Sequence, residues 1–256
     1  MRPLIAGNWK MHGLKAHLGE IRAIAAAARA SPPQADILIC PPATLIDRAV
    51  EAAGGVIAIG GQDCHGKITG AFTGDISAQM LKDDGAQAVI VGHSERRKTY
   101  GDTDTRVAAK ATAAARAGLM AITCVGESKS VRDAGHALAF CAAQVIASVP
   151  PTLTSTTCAI AYEPLWAVGA DEAASPADII EMHAHIRATL IGHLGAEGRS
   201  VRLLYGGSVT AVNAAQILAL PEVNGALVGR DSLAASDFEA IVAAANPLAM
   251  KKTVRT

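Results

Sequence analysis

Short apolar runs recur along the chain at Leu4–Trp9, Ile37–Cys40, Val56–Ile59, Ala88–Val91, Leu119–Val125, Thr157–Tyr162, Val201–Tyr205 and Gly225–Val228. They are apolar without strict alternation and too short for an ordinary helix, the pattern of strands buried on both faces. Most intervals between them are long enough for a helix, and several carry its marks. His17–Ala30 places Ile21, Ile24, Ala25 and Ala28 on one face. Within 102–117, Asp102-Thr103-Asp104 supplies a start and Gly118 a stop. Ser175 followed by Pro176 reads as an N-cap with proline at the first helical position, opening a helix to about Leu194. The interval 41–55 has room for one short helix beginning near Thr44.

Eight alternations of buried strand and helix predict a parallel sheet covered by helices, and the number eight favours closure into a single (β/α)8 barrel. A doubly wound open sheet is the alternative. No Gly/Ser-rich linker or internal repeat divides the chain, so residues 1–256 read as one domain. The tail Asn246–Thr256 is expected to fray, with Lys251 and Lys252 solvated.

Composition narrows the function further. Lys and Arg total 23 against 23 Asp and Glu, so no global field attracts nucleic acid or an anionic membrane, and a charged ligand must be held locally. Aromatic residues make up 3% of a chain that is 50% hydrophobic, so the core is packed mainly from Ala, Val, Ile and Leu. Cysteines at 40, 64, 124, 141 and 158 form no CxxC pair and leave an odd thiol, which points to reduced thiols and a cytoplasmic protein. The N-terminus lacks a long apolar stretch and no segment approaches the roughly 18 apolar residues of a membrane span, so neither export nor insertion is expected.

In a barrel, reacting groups gather where strands end, so the polar residues that follow each run are the candidates. Asn8 and Lys10 follow the first run, His93 the fourth and Glu163 the sixth. Glu163 ends an apolar run and opens a segment stiffened by Pro164 and Trp166, a suitable place for a general base under a lid; a surface carboxylate starting a turn is the alternative. His93 feeds a polar segment expected to begin a short helix, whose amides favour the neutral imidazole. Glu95, Arg96 and Arg97 read as a structural ion-pair cluster. Gly206-Gly207-Ser208 and Gly229-Arg230 follow the last two runs, where unhindered backbone amides can meet a phosphate.

The chain closely resembles the triosephosphate isomerase family over almost its whole length. The resemblance rests on Ala6-Gly7-Asn8-Trp9-Lys10-Met11, Val91-Gly92-His93-Ser94-Glu95-Arg96-Arg97, Ala161-Tyr162-Glu163-Pro164-Leu165-Trp166-Ala167, Tyr205-Gly206-Gly207-Ser208 and Leu227-Val228-Gly229. It implies interconversion of dihydroxyacetone phosphate and D-glyceraldehyde 3-phosphate through a cis-enediolate, with no metal or organic cofactor. By the same resemblance Glu163 is the base, His93 the neutral electrophile and Lys10 the positive charge near enediolate and phosphate. Asn8 shapes the oxyanion site, Ser94 holds Glu163 when the lid is open, and Glu95 supports the lysine.

The resemblance also implies a lid over Pro164–Ala174, whose Gly169 amide closes on the phosphate with those of Ser208, Gly229 and Arg230. Tyr205 and Ser208 latch it, at Ala174 and Asp171. The chain departs from the commonest lid pattern in reading Gly169-Ala170-Asp171-Glu172-Ala173-Ala174, and the two acidic side chains are expected to slow or weaken closure over a dianion. Arg230 stands where relatives commonly have glycine, its side chain facing either phosphate or solvent. His12 replaces a frequent Asn and reads as local packing. The segment 62–75 resembles the family's protruding interface loop and implies a homodimer in which Thr73 reaches the partner's Asn8 and Lys10 region. Asp63-Cys64-His65 is unconvincing as a metal site, because adjacent residues on a strand end point in different directions. Two rival readings are an isomerase of a four-carbon tetrulose phosphate and a phosphosugar-binding barrel without turnover.

Overall fold

The computed structural model describes residues 1–169 and 173–246. Eight strands, β1 Leu4–Asn8, β2 Asp36–Cys40, β3 Ala58–Gly61, β4 Ala88–Val91, β5 Met120–Val125, β6 Cys158–Tyr162, β7 Arg202–Tyr205 and β8 Gly225–Val228, close in chain order into one parallel barrel. β1 closes the ring by pairing with β8, Leu4 opposite Gly225. The helices are α1 Leu18–Ala30, α2 Ile46–Ala53, α3 Ala78–Asp83, α4 Ser94–Tyr100, α5 Asp104–Arg116, α6 Lys129–Asp133, α7 Ala137–Ser148, α8 Pro176–Leu194, α9 Ala214–Leu218 and α10 Ala235–Ala244. The closed ring rules out the doubly wound alternative, because every strand has a neighbour on both sides.

Strand alternation sorts the apolar side chains into two cores. Leu4, Ala6, Leu38, Cys40, Ala88, Ile90, Ile122, Cys124, Ala159, Ala161, Leu204 and Leu227 fill the barrel. Ile5, Ile39, Val89, Val91, Ile160 and Leu203 belong to the larger layer between strands and helices. Following the inward parity past each strand's end leads to Asn8 and Lys10 from Leu4 and Ala6, and to Glu163 from Ala159 and Ala161. Parity therefore carries these polar side chains to the barrel's mouth, above an apolar plug.

The expected elements are present with shifts that have local causes. The helix expected from His17 begins at Leu18 after a 3-10 turn over Lys15–His17, and that expected near Thr44 begins at Ile46 after a similar turn over Ala43–Leu45. Ser175 caps α8 by accepting the amide of Asp178 at 3.2 Å. α5 is capped by Thr103, whose hydroxyl accepts from Arg106 N at 3.3 Å. The third strand lies two residues later than its apolar run and ends in Gly60-Gly61, where neighbours crowd the backbone. A β-carbon at Gly60 would stand 2.9 Å from both the Ala88 carbonyl oxygen and Cys40 Sγ. The tail 247–256 and lid residues 170–172 lie outside the described residues, so the expectations for Lys251, Lys252, Asp171 and Glu172 have no structural counterpart here.

Candidate active site

A cavity of about 350 Å³ opens at the carboxyl ends of the strands, lined by Asn8, Lys10, His93, Glu163, Gly169, Ser208, Gly229 and Arg230 among others. Residues from β1, β4, β6, β7 and β8 thus converge on one chamber. Glu163, 2% exposed, turns Oε1 to His93 Nε2 at 2.8 Å and accepts the backbone N–H of Ser94 on Oε2 at 2.9 Å. Burial alone pushes its carboxyl upward, but the attraction and hydrogen bond of His93, the Ser94 amide and Lys10 together hold it below the ordinary 4.5.

His93 leaves the inward parity of β4 through Gly92. That residue has φ 68°, and a β-carbon there would also press within 2.7 Å of Val107. The ring then caps α4, Nδ1 accepting the amide of Glu95 at 3.2 Å. An amide hydrogen on Nδ1 leaves the ring's proton on Nε2, facing the carboxylate. Burial opposes the imidazolium, yet Glu163 and Glu95 outweigh it and raise the pKa above 6.5. The neutral ring expected from the sequence is therefore pulled toward protonation in this pairing. The cause is chiefly Glu163, so most of the pull ends when Glu163 turns away.

Lys10 is held at φ 53°, an uncommon conformation for a side chain of its length that costs about 1–2 kcal/mol. Its backbone is fixed by Asn8 Oδ1, which accepts Lys10 N–H at 3.0 Å, and by Gln62 Nε2, which donates to the Lys10 carbonyl at 2.8 Å. The ammonium pairs with Glu95 Oε1 at 2.6 Å. Glu95 thus separates from the cluster expected with its neighbours: Arg96 pairs with Asp63 and Asp102, and Arg97 with Asp104. His12 also differs from expectation, being exposed at the cavity rim rather than packed.

The Ser208 amide donates to the Ala167 carbonyl at 3.2 Å, tying the stem of the 164–174 segment to the turn after β7. The Tyr205 hydroxyl accepts the Ala174 amide at 2.9 Å, one of the two latches implied by the resemblance; Asp171, the other, is outside the described residues. Gly169 has φ 68° at the rim, and Arg230 is exposed beside Gly229. Asp63 is occupied by Lys110 and Arg96, and His65 lies against Phe72 with ring centroids 4.1 Å apart. Among the described residues no group of three or more His, Cys, Asp or Glu could hold a metal ion.

A residue missed in the sequence supports this site. Glu127, fully buried, accepts Tyr162 Oη and Trp166 Nε1 at 3.0 Å each and Arg132 at 3.2 Å, all on Oε1. Its carbonyl accepts the amide of Leu165. Glu127 follows β5 as Glu163 follows β6, so the strand-end rule applied to the fifth run would have found it. The preceding Gly126 lets the two strand ends touch, since a β-carbon there would lie 1.8 Å from the Glu163 carbonyl oxygen.

A closed parallel barrel with a buried carboxylate and imidazole at its carboxyl rim, facing glycine-rich turns, is a (β/α)8-barrel enzyme suited to moving protons on a small anionic ligand. The family model described as triosephosphate isomerase matches residues 3–245, and the chain belongs to that family. It is 55% identical over 244 residues to the triosephosphate isomerase of Caulobacter vibrioides, covering 95% of this chain and 96% of the relative. With that of Afipia carboxidovorans it shares 56% over 245 residues, covering 95% and 98%. The crystal structure of triosephosphate isomerase from Bartonella henselae matches with a TM-score of 0.89 at 47% identity, over 95% of this chain and 99% of that one.

Proposed function

We propose that this protein interconverts dihydroxyacetone phosphate and D-glyceraldehyde 3-phosphate by proton transfer through a cis-enediolate. The observation that carries the reading is the Glu163 carboxylate meeting His93 Nε2 at 2.8 Å inside a chamber that also holds Lys10 and the turns after β7 and β8. Glu163, turned from His93 to the substrate, takes a proton from C1 of the ketose. The electron pair passes through the new C1–C2 double bond to the C2 oxygen. His93 donates from Nε2 to that oxygen and recovers a proton from the C1 oxygen, and Glu163 returns its proton to C2. With Glu163 withdrawn from the ring, burial and the Glu95 amide both favour the neutral imidazole.

Asn8 and Lys10 stabilise the developing oxyanion; a single preorganised donor of this kind is worth about 3–4 kcal/mol of barrier. The phosphate is held by the amides of Gly169, Ser208, Gly229 and Arg230. When it arrives, Ser208 N–H must release the Ala167 carbonyl, which couples binding to movement of the lid stem. No cofactor enters this scheme.

The chain works as one catalytic domain and pairs with a second copy through 62–75. Support for pairing is the exposure of Ile68 at 48% and Met11 at 95%, the latter adjoining Lys10, with Thr73 on the exposed part of the loop. A cytoplasmic setting is supported by five free, buried cysteines, with Cys40 pushed by burial up to about 12. No helix among the described residues is long and apolar enough to cross a membrane. Running the reaction from glyceraldehyde phosphate in deuterium oxide tests the proton-transfer scheme. The ketose product should carry deuterium at C1, and product free of deuterium would indicate a hydride shift or a fully shielded proton and exclude the exchanging carboxylate described here.

A further inference from the structure

Behind the rim, three buried rings form a triangle. His183, on α8, lies edge-on to Tyr162 with centroids 5.9 Å apart and planes at 81°, and 6.4 Å from Tyr205; the tyrosines are 6.5 Å from each other. The chain has only three tyrosines, so two of them are committed to this cluster. Each tyrosine hydroxyl holds one end of the segment that follows Glu163. Tyr162 donates to Glu127, whose same oxygen takes Trp166 Nε1 from the stem leaving β6. Tyr205 accepts the amide of Ala174 from the stem entering α8. His183 is the ring that touches both.

The histidine is itself fixed. Nδ1 lies 3.1 Å from the Glu222 carbonyl oxygen, which places the ring proton on Nδ1 and sets the plane of the imidazole. Nε2 has no polar partner among the described residues, and burial lowers the pKa to about 4, so the ring is neutral at ordinary working pH. A fully buried nitrogen without a partner is a cost that a purely apolar ring would avoid, so the anchor to Glu222 needs a use.

We propose that His183 is a positioning residue for the lid: pinned to the Glu222 carbonyl, its ring backs Tyr162 and Tyr205 together and so couples the two stems of the loop closing over the substrate. This rests on the reading of 164–174 as a closing lid. The consequence is chemical as well as mechanical. When the enediolate is poorly covered, its electron pair expels the phosphate by breaking the C3–O bond; inorganic phosphate leaves and the remaining enol ketonises to methylglyoxal. Loss of His183 therefore diverts intermediate from isomerisation to elimination.

The test measures inorganic phosphate released per isomerisation turnover, together with kcat and KM, for the full-length wild type, Tyr205→Phe, His183→Ala, His183→Phe and the Tyr205→Phe/His183→Ala double variant. Measurements are made at a temperature where circular dichroism shows each variant folded. Tyr205→Phe, which deletes a lid latch, should raise the phosphate ratio about tenfold. His183→Ala should raise it by a similar factor and lower kcat, the double variant should fall short of the product of the single effects, and His183→Phe, which keeps a ring but loses the anchor to Glu222, should recover only part of the loss. If Tyr205→Phe leaves the ratio unchanged, the lid reading fails and this proposal with it. If Tyr205→Phe raises the ratio but His183→Ala keeps the wild-type value and only melts earlier, His183 is simply a core residue and the proposal alone is overturned. Should His183→Ala not fold, His183→Asn, which keeps a donor for Glu222 but lacks the ring, carries the same expectations.

Discussion

Glu163 is a buried carboxylate kept ionised by specific neighbours, and its pH behaviour follows from them. Its folded-state pKa lies below the ordinary 4.5, so it contributes stability above that pH and loses the contribution as pH falls through the lower folded value. Thermal melts of wild type and Glu163→Gln should accordingly differ most near neutrality and converge below pH 4.5; a gap that stays constant with pH would show that the charge contributes nothing. The acid limb of kcat/KM should be set instead by His93, since the free enzyme must lose the imidazolium proton that Glu163 stabilises before the ring can act as a neutral electrophile. At this scale the sequence was highly legible where parity holds, because Asn8, Lys10 and Glu163 continue the inward series of their strands. His93 lies off that series and depends on the left-handed turn at Gly92, which no hydrophobic pattern encodes. The pairing of His93 with Glu163 was also invisible, since it joins residues on separate strands.

The ends of β5 and β6 behave as one element. Gly126 passes so close to the Glu163 backbone that even a methyl group would force the strands apart. Gly126→Ala should therefore destabilise the fold by more than about 3 kcal/mol, lowering Tm by roughly 6–12 °C, and reduce kcat in whatever folded protein remains. Calorimetry checks the first part, and a melt within 2 °C of wild type would contradict the close approach, given about 2–4 °C per kcal/mol for a domain of this size. Trp166→Phe should act differently, because it removes one of three donors to Glu127 Oε1 while keeping an aromatic ring. The expected result is a several-fold change in kcat with Tm shifted by only a few degrees, as for a hinge rather than a core residue. Helix boundaries carried by caps, such as Ser175 and Pro176, were readable in advance. Glu127 was not recognised, although its position after the fifth apolar run is the same kind of signal that marks Glu163.

Eight strand and helix alternations favoured the closed barrel that forms, but the count and the doubly buried strands alone left an open doubly wound sheet as the alternative, which only the pairing of β1 with β8 removes. The proposed association with another copy rests on a different signal, exposed side chains that break the rule of an apolar inside. Met11, Leu14 and Ile68 stand at 95%, 71% and 48% exposure on the loops after β1 and β3. Met11→Glu should shift the species seen by size exclusion with light scattering from about twice 26.1 kDa toward a single chain, with kcat reduced at least tenfold as the Lys10 segment loses its support. A wild type already running as one chain at full activity would remove the partner from the mechanism.

The central claim concerns how one molecule brings a carboxylate and an imidazole to a single triose phosphate, and steady-state turnover of wild type beside Glu163→Asp tests it most directly. In a coupled assay the wild type should interconvert the two triose phosphates in both directions. Withdrawing the carboxylate by one methylene should lower kcat by about 10²–10³-fold with little change in KM, since the base acts in the transition state and not in ground-state binding. A wild type without isomerase activity, or an aspartate variant that retains it undiminished, would contradict the account.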